Sequence, residues 1–234
     1  MLSTTIKRRY GLIIITGASD GLGFALAECL LEKGKTVVSL SRTKPKRDDI
    51  GWIETDLANP DSIDSAAQQL LKQDSPIEAL INNAAITSYE PADSLSATEV
   101  DKMMSINVNA PMLLTSRLLD RLIADGSDII NVGATIGLKP GYSQQAVYST
   151  TKWALRGFTQ NLAEELKPTN CRVVSLILGG FNTSMHEKVT GQPISDPENW
   201  MRPEDIANLV AQLLELPKNM EISEIVVNRK ARRA

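Results

Sequence analysis

From position 11 onward the chain alternates apolar runs of strand length with segments of helical period, and the first run ends directly in a glycine-rich turn. Strands are expected at 11–16, 36–41, 51–54, 77–82, 127–133, 171–178 and 222–228. Helices are expected between them at 21–33, 60–73, 95–107, 109–125, 147–167 and 203–215, several opened by a capping or proline signal such as Asn59-Pro60. Strand–helix alternation specifies βαβ units, whose right-handed crossovers place helices on both faces of a parallel sheet. The expected class is α/β, a doubly wound parallel sheet of about seven strands in a single domain spanning 1–234. One stretch, 181–200, lacks periodicity and carries Gly191, Pro193 and Pro197. A long loop in a compact domain is usually functional, so it reads as a substrate lid.

Composition narrows the functional classes. With 42% hydrophobic and 23% charged residues the 234-residue chain has the make-up of an ordinary globular protein. A net charge of -3 supplies no basic field for a phosphate backbone, so nucleic acid is not an expected partner. The basic cluster Arg229, Lys230, Arg232 and Arg233 reads as a solvated tail. Two cysteines, Cys29 and Cys171, both in apolar periodic segments, are too few for a disulfide framework and suit a reducing cytoplasm. Lys7, Arg8 and Arg9 precede a short apolar run that leads into the glycine turn, which reads as a first strand and not as a signal peptide. No apolar stretch is long enough to span a bilayer, and no membrane association is expected. His186 is the one histidine, and a lone histidine does not assemble a metal site, so no metal is expected.

The turn after the first strand reads Thr16-Gly17-Ala18-Ser19-Asp20-Gly21-Leu22-Gly23, followed by a helix with Phe24, Ala27, Leu30 and Leu31 on one face. Gly17 suits a tight turn, Gly21 lets backbone approach a pyrophosphate, and Gly23 allows close packing of helix on strand, while the helix N-terminus presents N–H groups to anionic oxygens. The pattern fits either an ordinary glycine-rich βα turn or a Rossmann-type dinucleotide site, and in the second reading Gly17, Ser19, Asp20, Gly21, Leu22 and Gly23 are the expected phosphate-side residues. At the end of the second strand, Leu40-Ser41-Arg42-Thr43-Lys44 carries no acid to grip a ribose 2'-hydroxyl.

The glycine spacing resembles the TGxxxGxG fingerprint of the short-chain dehydrogenase/reductase family, and further motifs follow in order. Asp56-Leu57 resembles the family's adenine-contacting position. Asn82-Asn83-Ala84-Ala85 resembles NNAG with Ala85 in place of glycine, Asn107 stands where the family carries a helix asparagine, and Tyr148-Ser149-Thr150-Thr151-Lys152 matches YxxxK. Leu178-Gly179-Gly180-Phe181-Asn182-Thr183 is similar to its PG-x-x-T segment with Gly179 replacing proline. The resemblance implies cofactor contacts from Ser41, Arg42, Asp56, Leu57, Asn83, Ala84, Ala85, Tyr148, Lys152, Gly180 and Thr183. It implies NADP(H) over NAD(H) through Arg42 on the 2'-phosphate, although Asp20 stands where NADP-type members carry an arginine in the glycine turn. It also implies a homodimer or homotetramer formed through the helices at 109–125 and 147–167.

Tyr148 and Lys152 are four positions apart on a helical pattern and therefore share a face. A phenol is a poor acid or base at neutral pH unless a cation stabilises its phenolate, which the Lys152 ammonium would do. Tyr148 would then exchange a proton with the oxygen of a small carbonyl or alcohol substrate as hydride moves to or from its carbon. The resemblance gives Lys152 the nicotinamide ribose and Asn107 a water linking Lys152 to solvent. It also implies a serine at the end of the fifth strand, where the chain departs. Aligning Ile129 to Ala134 on the family's strand puts Ala134 at that position, whereas counting back from Tyr148 lands on Thr135; the registers differ by one residue, placing an extra one in 139–145. Either Thr135 supplies the hydroxyl or the role is missing. The expected activity is hydride transfer between NADP(H) and a carbonyl/alcohol pair with Tyr148, Lys152, Asn107 and Thr135 as catalytic set. The alternative is a dinucleotide-binding regulatory or scaffold protein with little turnover.

Overall fold

The computed structural model describes residues 11–139 and 144–230. Lys7, Arg8, Arg9, Arg232, Arg233 and most of the connection before Tyr148 lie outside those residues. All seven expected strands form: β1 Leu12–Thr16, β2 Thr36–Ser41, β3 Gly51–Glu54, β4 Ile77–Asn82, β5 Asp128–Ala134, β6 Arg172–Leu178 and β7 Glu224–Val227. They pair in parallel in the order β3-β2-β1-β4-β5-β6-β7. The runs are apolar at nearly every position because both faces of the central strands are covered.

Side-chain alternation along β1 sends Ile13 and Ile15 to one face and Leu12 and Ile14 to the other. The first face is packed by α1 (Gly21–Glu32) and α7 (Pro203–Glu215), whose Leu26, Leu30, Val210 and Leu214 meet Ile81, Ile130 and Leu176. The second is packed by α2 (Pro60–Leu71), α4 (Ala110–Asp125) and α5 (Ala146–Leu166) through residues such as Ile63, Leu114, Leu118 and Leu162. β1 sits between β2 and β4, so chain connections leave it in opposite directions. That reversal opens a crevice at the carboxyl ends of β1 and β4, where a doubly wound sheet binds its ligand.

Two elements differ from the sequence expectation. The helix at 95–107 was expected to end before the next began; instead α3 (Ala97–Met104) runs through a π-helical segment, Ser105–Asn109, directly into α4. Pro111 has no N–H to give the Asn107 carbonyl in the α pattern, and the hydrogen bonding widens locally, with the Ala110 N–H reaching the Ser105 carbonyl. The aperiodic 181–200 stretch contains a helix, α6 (Ser184–Thr190), closed by Gly191 at φ +68°. It is too short to display an apolar period, which is why sequence patterning passes over it. No helix among the described residues is long and apolar enough to cross a membrane.

Candidate active site

The glycine turn is built by backbone necessity. Gly17 and Gly21 adopt φ of +71° and +56°, and a Cβ on Gly23 would stand 2.3 Å from the Gly17 carbonyl oxygen. The Gly17 N–H donates to the Leu40 carbonyl at 2.9 Å, tying the turn to the end of β2. The Thr16 hydroxyl accepts from the Asn83 and Ala84 N–H groups at 2.9 and 3.0 Å, and Asn83 Nδ2 donates to the Thr16 carbonyl at 2.9 Å. The carboxyl ends of β1 and β4 are thereby stitched together across the crevice, with Ala85 continuing along its edge. Leu22 is buried, Ser19 lies partly open on the turn, and Thr183 approaches Gly21, its Cγ2 3.6 Å from where a Cβ would be. Glycine turn, β2 end, β4 end and Thr183 segment thus converge on one cleft, and the backbone amides of the first turn of α1 fit anionic oxygens.

Asp20 does more than line this turn. Its Oδ1 caps α1 by accepting from the Gly21 N–H at 2.7 Å, while Oδ2 accepts from the Ser184 hydroxyl at 2.7 Å and from Lys188 Nζ, both on α6. The Lys188 ammonium, then the Ser184 hydroxyl, hold its carboxyl down at about 2. The helix inside 181–200 is therefore docked on the phosphate-side turn. Gly180, by contrast, backs onto Trp200, whose ring lies 2.6 Å from where a Cβ would be, so this glycine makes room for an aromatic at the base of the segment.

At the end of β2, Ser41 is buried and its hydroxyl donates to the Thr43 carbonyl at 2.8 Å, and its own carbonyl accepts from Trp52 Nε1 at 2.9 Å. These bonds pin the strand end, and the next residue, Arg42, is exposed. Asp56 turns its Oδ1 onto the Ala58 N–H at 3.0 Å, and Leu57 is buried beneath it in the core.

The chemical residues come together at the start of α5. Lys152 is 3% exposed, donates to the Val132 carbonyl at 2.9 Å, and places its Nζ 5.7 Å from the Tyr148 ring centroid. The Asn107 carboxamide accepts from the Ile86 N–H at 2.8 Å and donates to the Ile86 carbonyl at 2.8 Å and to the Thr151 hydroxyl at 3.1 Å. Thr151 in turn donates to the Tyr148 carbonyl at 2.7 Å. Asn107 thus acts here as a positioning residue linking the connection after β4, the π segment and the tyrosine's own turn of helix. Sequence reasoning named Asn107 but missed Ile86 and Thr151; the signal available was Pro111, four residues on.

β5 ends at Ala134, and Thr135 opens a 3₁₀ turn, Thr135–Gly137. The Ile136 carbonyl accepts from the Ser149 hydroxyl and from Trp153 Nε1, each at 3.0 Å, which lays this turn against α5 beside Tyr148.

Burial disfavours charge on both chemical groups. It pushes the Tyr148 phenol above its ordinary value, with Tyr89 nearby adding to the rise, and brings the Lys152 ammonium down to about 8. A phenolate at Tyr148 therefore depends on positive charge close by, and Lys152 is the cation the fold supplies.

Fold and site together define an α/β dinucleotide-binding oxidoreductase. The family profile "short chain dehydrogenase" matches residues 11–193, and the chain belongs to that family. An uncharacterized oxidoreductase of Listeria monocytogenes is 29% identical over 243 aligned positions, covering 95% of this chain and 97% of its own. A metagenomic short-chain oxidoreductase solved in complex with NADP is 26% identical, with a TM-score of 0.79 over 94% of this chain and 98% of that one. A 4-hydroxyisoleucine dehydrogenase complexed with NADH is also 26% identical, with a TM-score of 0.81 over 94% of this chain and 97% of that one.

Lys152 gives the site a pH signature in stability. Its folded pKa of about 8 lies below the unfolded value of 10.5, so between these limits the unfolded chain binds more protons. Its contribution to stability is lowest below pH 8 and rises through this window. Urea denaturation should show this rise in the wild type minus a Lys152→Met variant, and a flat difference from about pH 7 to about pH 11 would contradict the assignment.

Proposed function

We propose that the protein transfers a hydride between NADP(H) and a carbonyl/alcohol substrate, with Tyr148 as general acid/base. The observation that carries the reading is the convergence, at one sheet edge, of the glycine turn with the Tyr148–Lys152 pair braced through Asn107 and Thr151. Gly17 to Gly23, Asn83, Ala84, Ala85, Gly180 and Thr183 would hold the dinucleotide, with Asp56 and Leu57 at the adenine side. The nicotinamide, when bound, supplies or accepts the hydride.

Tyr148 gives its hydroxyl proton to the oxygen of a carbonyl being reduced, or takes one from an alcohol being oxidised. Lys152, already fixed by Val132, stabilises the phenolate left behind. Thr135 is the proposed hydroxyl donor to the charge growing on that oxygen. Its place supports it: the 3₁₀ turn that Thr135 opens directly after β5 is laid against α5 beside Tyr148 by the Ser149 and Trp153 bonds to the Ile136 carbonyl. Arg42, exposed at the mouth beside the turn, is the proposed contact to a 2'-phosphate. A homodimer or homotetramer through α4 and α5 is also inferred; Met112 on α4 and Trp153 on α5 are among the exposed large hydrophobic residues.

Tyr148→Phe keeps the ring and deletes the transferable proton, so NADPH oxidation with carbonyl substrates should slow by about 10² to 10⁴ with cofactor binding unchanged. Full activity in that variant would end the mechanism. Calorimetric titration should favour NADPH over NADH, and Arg42→Ala should remove most of a difference of about ten- to a hundredfold, the worth of one charge-assisted contact. Equal affinities in the wild type would refute the preference. Thr135→Val should lower turnover by about 10² to 10³ and leave NADPH affinity intact. If instead Ala134→Ser raises activity and Thr135→Val does nothing, the hydroxyl position belongs to 134.

A further inference from the structure

The connection after β4 runs past the chemical centre and contains two buried polar atoms without a hydrogen-bond partner, Thr87 Oγ1 and Glu90 Oε2. Buried polar atoms are almost always satisfied, so a pair of exceptions within four consecutive residues of one loop needs a reason. The loop is held at both of its ends. Ile86 is clasped through both backbone groups by Asn107, and the Glu90 N–H donates to the Gln144 carbonyl at 3.0 Å. Gln144 holds φ at +63°, the one non-glycine residue among the described residues on the positive side, and strained backbone of this kind is kept where surrounding structure enforces it. Gln144 stands just ahead of α5, on the segment that leads into Tyr148, and Tyr89 lies near enough to Tyr148 to raise its pKa. The backbone of Glu90 is thus fastened to the segment that leads into Tyr148, although the two residues are far apart in sequence. An ionised carboxylate only accepts hydrogen bonds, and no cation among the described residues pairs with it.

We propose that Glu90 is a specificity-determining residue that accepts a hydrogen bond from a hydroxyl or ammonium group carried by the substrate on a carbon near the reacting one, with the Thr87 hydroxyl as a second polar contact. This rests on the hydride-transfer reading above. It selects polyfunctional substrates, such as hydroxy- or amino-carbonyl compounds and the corresponding alcohols, over plain ketones. The loop that carries Glu90 is positioned by backbone contacts, so its placement survives a change of side chain at 90.

Hydroxyacetone, aminoacetone and butanone test this directly, because they share a shape and differ only in whether OH, NH₃⁺ or CH₃ is carried by the carbon next to the carbonyl. With NADPH, wild-type kcat/KM for the better of the first two should exceed that for butanone by about tenfold to a hundredfold, the range of a hydrogen bond to a charged group. Glu90→Ala should erase that advantage and keep butanone turnover. Glu90→Gln keeps an acceptor but no charge, so it should retain a hydroxyacetone preference and abolish one for aminoacetone, which separates the two donor chemistries. Equal rates on all three compounds in the wild type, or an equal loss on all three in Glu90→Ala, would overturn the proposal. If the wild type reduces none of them yet oxidises NADPH with other carbonyl compounds, this inference fails and the hydride-transfer reading stands; no NADPH oxidation with any carbonyl compound ends both.

Discussion

The Thr16 hydroxyl accepts two backbone N–H groups from the connection after β4, and the geometry of the whole cleft follows from that junction. β1 and β4 are neighbours in the sheet although far apart in sequence, and their chain connections leave in opposite directions. Parallel pairing fixes the two strands up to their last residues, but beyond them the backbone has no ladder partner. Thr16 and Asn83 supply one there. The junction holds the glycine turn in place, since Gly17 packs against Ala84 and Gly23 against Gly17. It also sets the path of the loop that reaches Ile86 and Glu90.

A second chain of contacts runs from that loop to the chemistry. Asn107 grips both backbone groups of Ile86 and reaches Thr151, and Thr151 binds the carbonyl of Tyr148. The Asn107 bonds join three elements, and the Thr151 bond carries the link along α5 to the turn that holds Tyr148. This buried network is fully paired, which makes it a rigid frame in a low-dielectric setting. Beside it, Tyr148 and Lys152 sit where burial opposes their charged forms. Rigid polar support next to two groups shifted from their solution pKa values marks this end of the sheet as the candidate site.

The opposite end of the sheet is organised for stability. Arg172 and Asp128, 5% and 1% exposed, pair at 2.8 Å, and Arg172 also binds the Leu213 carbonyl at 2.8 Å, locking α7 to the amino ends of β5 and β6. Loss of Asp128 would leave the Arg172 charge buried without compensation, whereas Asp128 also pairs with Lys218 at 2.7 Å. Functional groups therefore occupy the carboxyl edge, where loops diverge, and the amino edge closes the core.

How much of this was legible in the sequence depends on the range of the interaction involved. Apolar runs of strand length located every strand to within two residues, because burial on both faces of a parallel sheet acts position by position. Gly17, Gly21 and Gly23 were readable because only glycine meets the positive φ or the close approach their turn demands, and Tyr148 with Lys152 because four residues is one helical turn. The π segment was missed, since its cause is the absent N–H of Pro111 acting on a helix whose period alone gives no sign of it. The docking of α6 on Asp20 through Ser184 and Lys188 was also beyond reach, because those residues stand more than 160 positions from Asp20 in the chain. The same holds for Glu90: its residue type is ordinary in a loop. What marks it is an unpartnered buried oxygen, and burial is decided by which segments the folded chain brings around it.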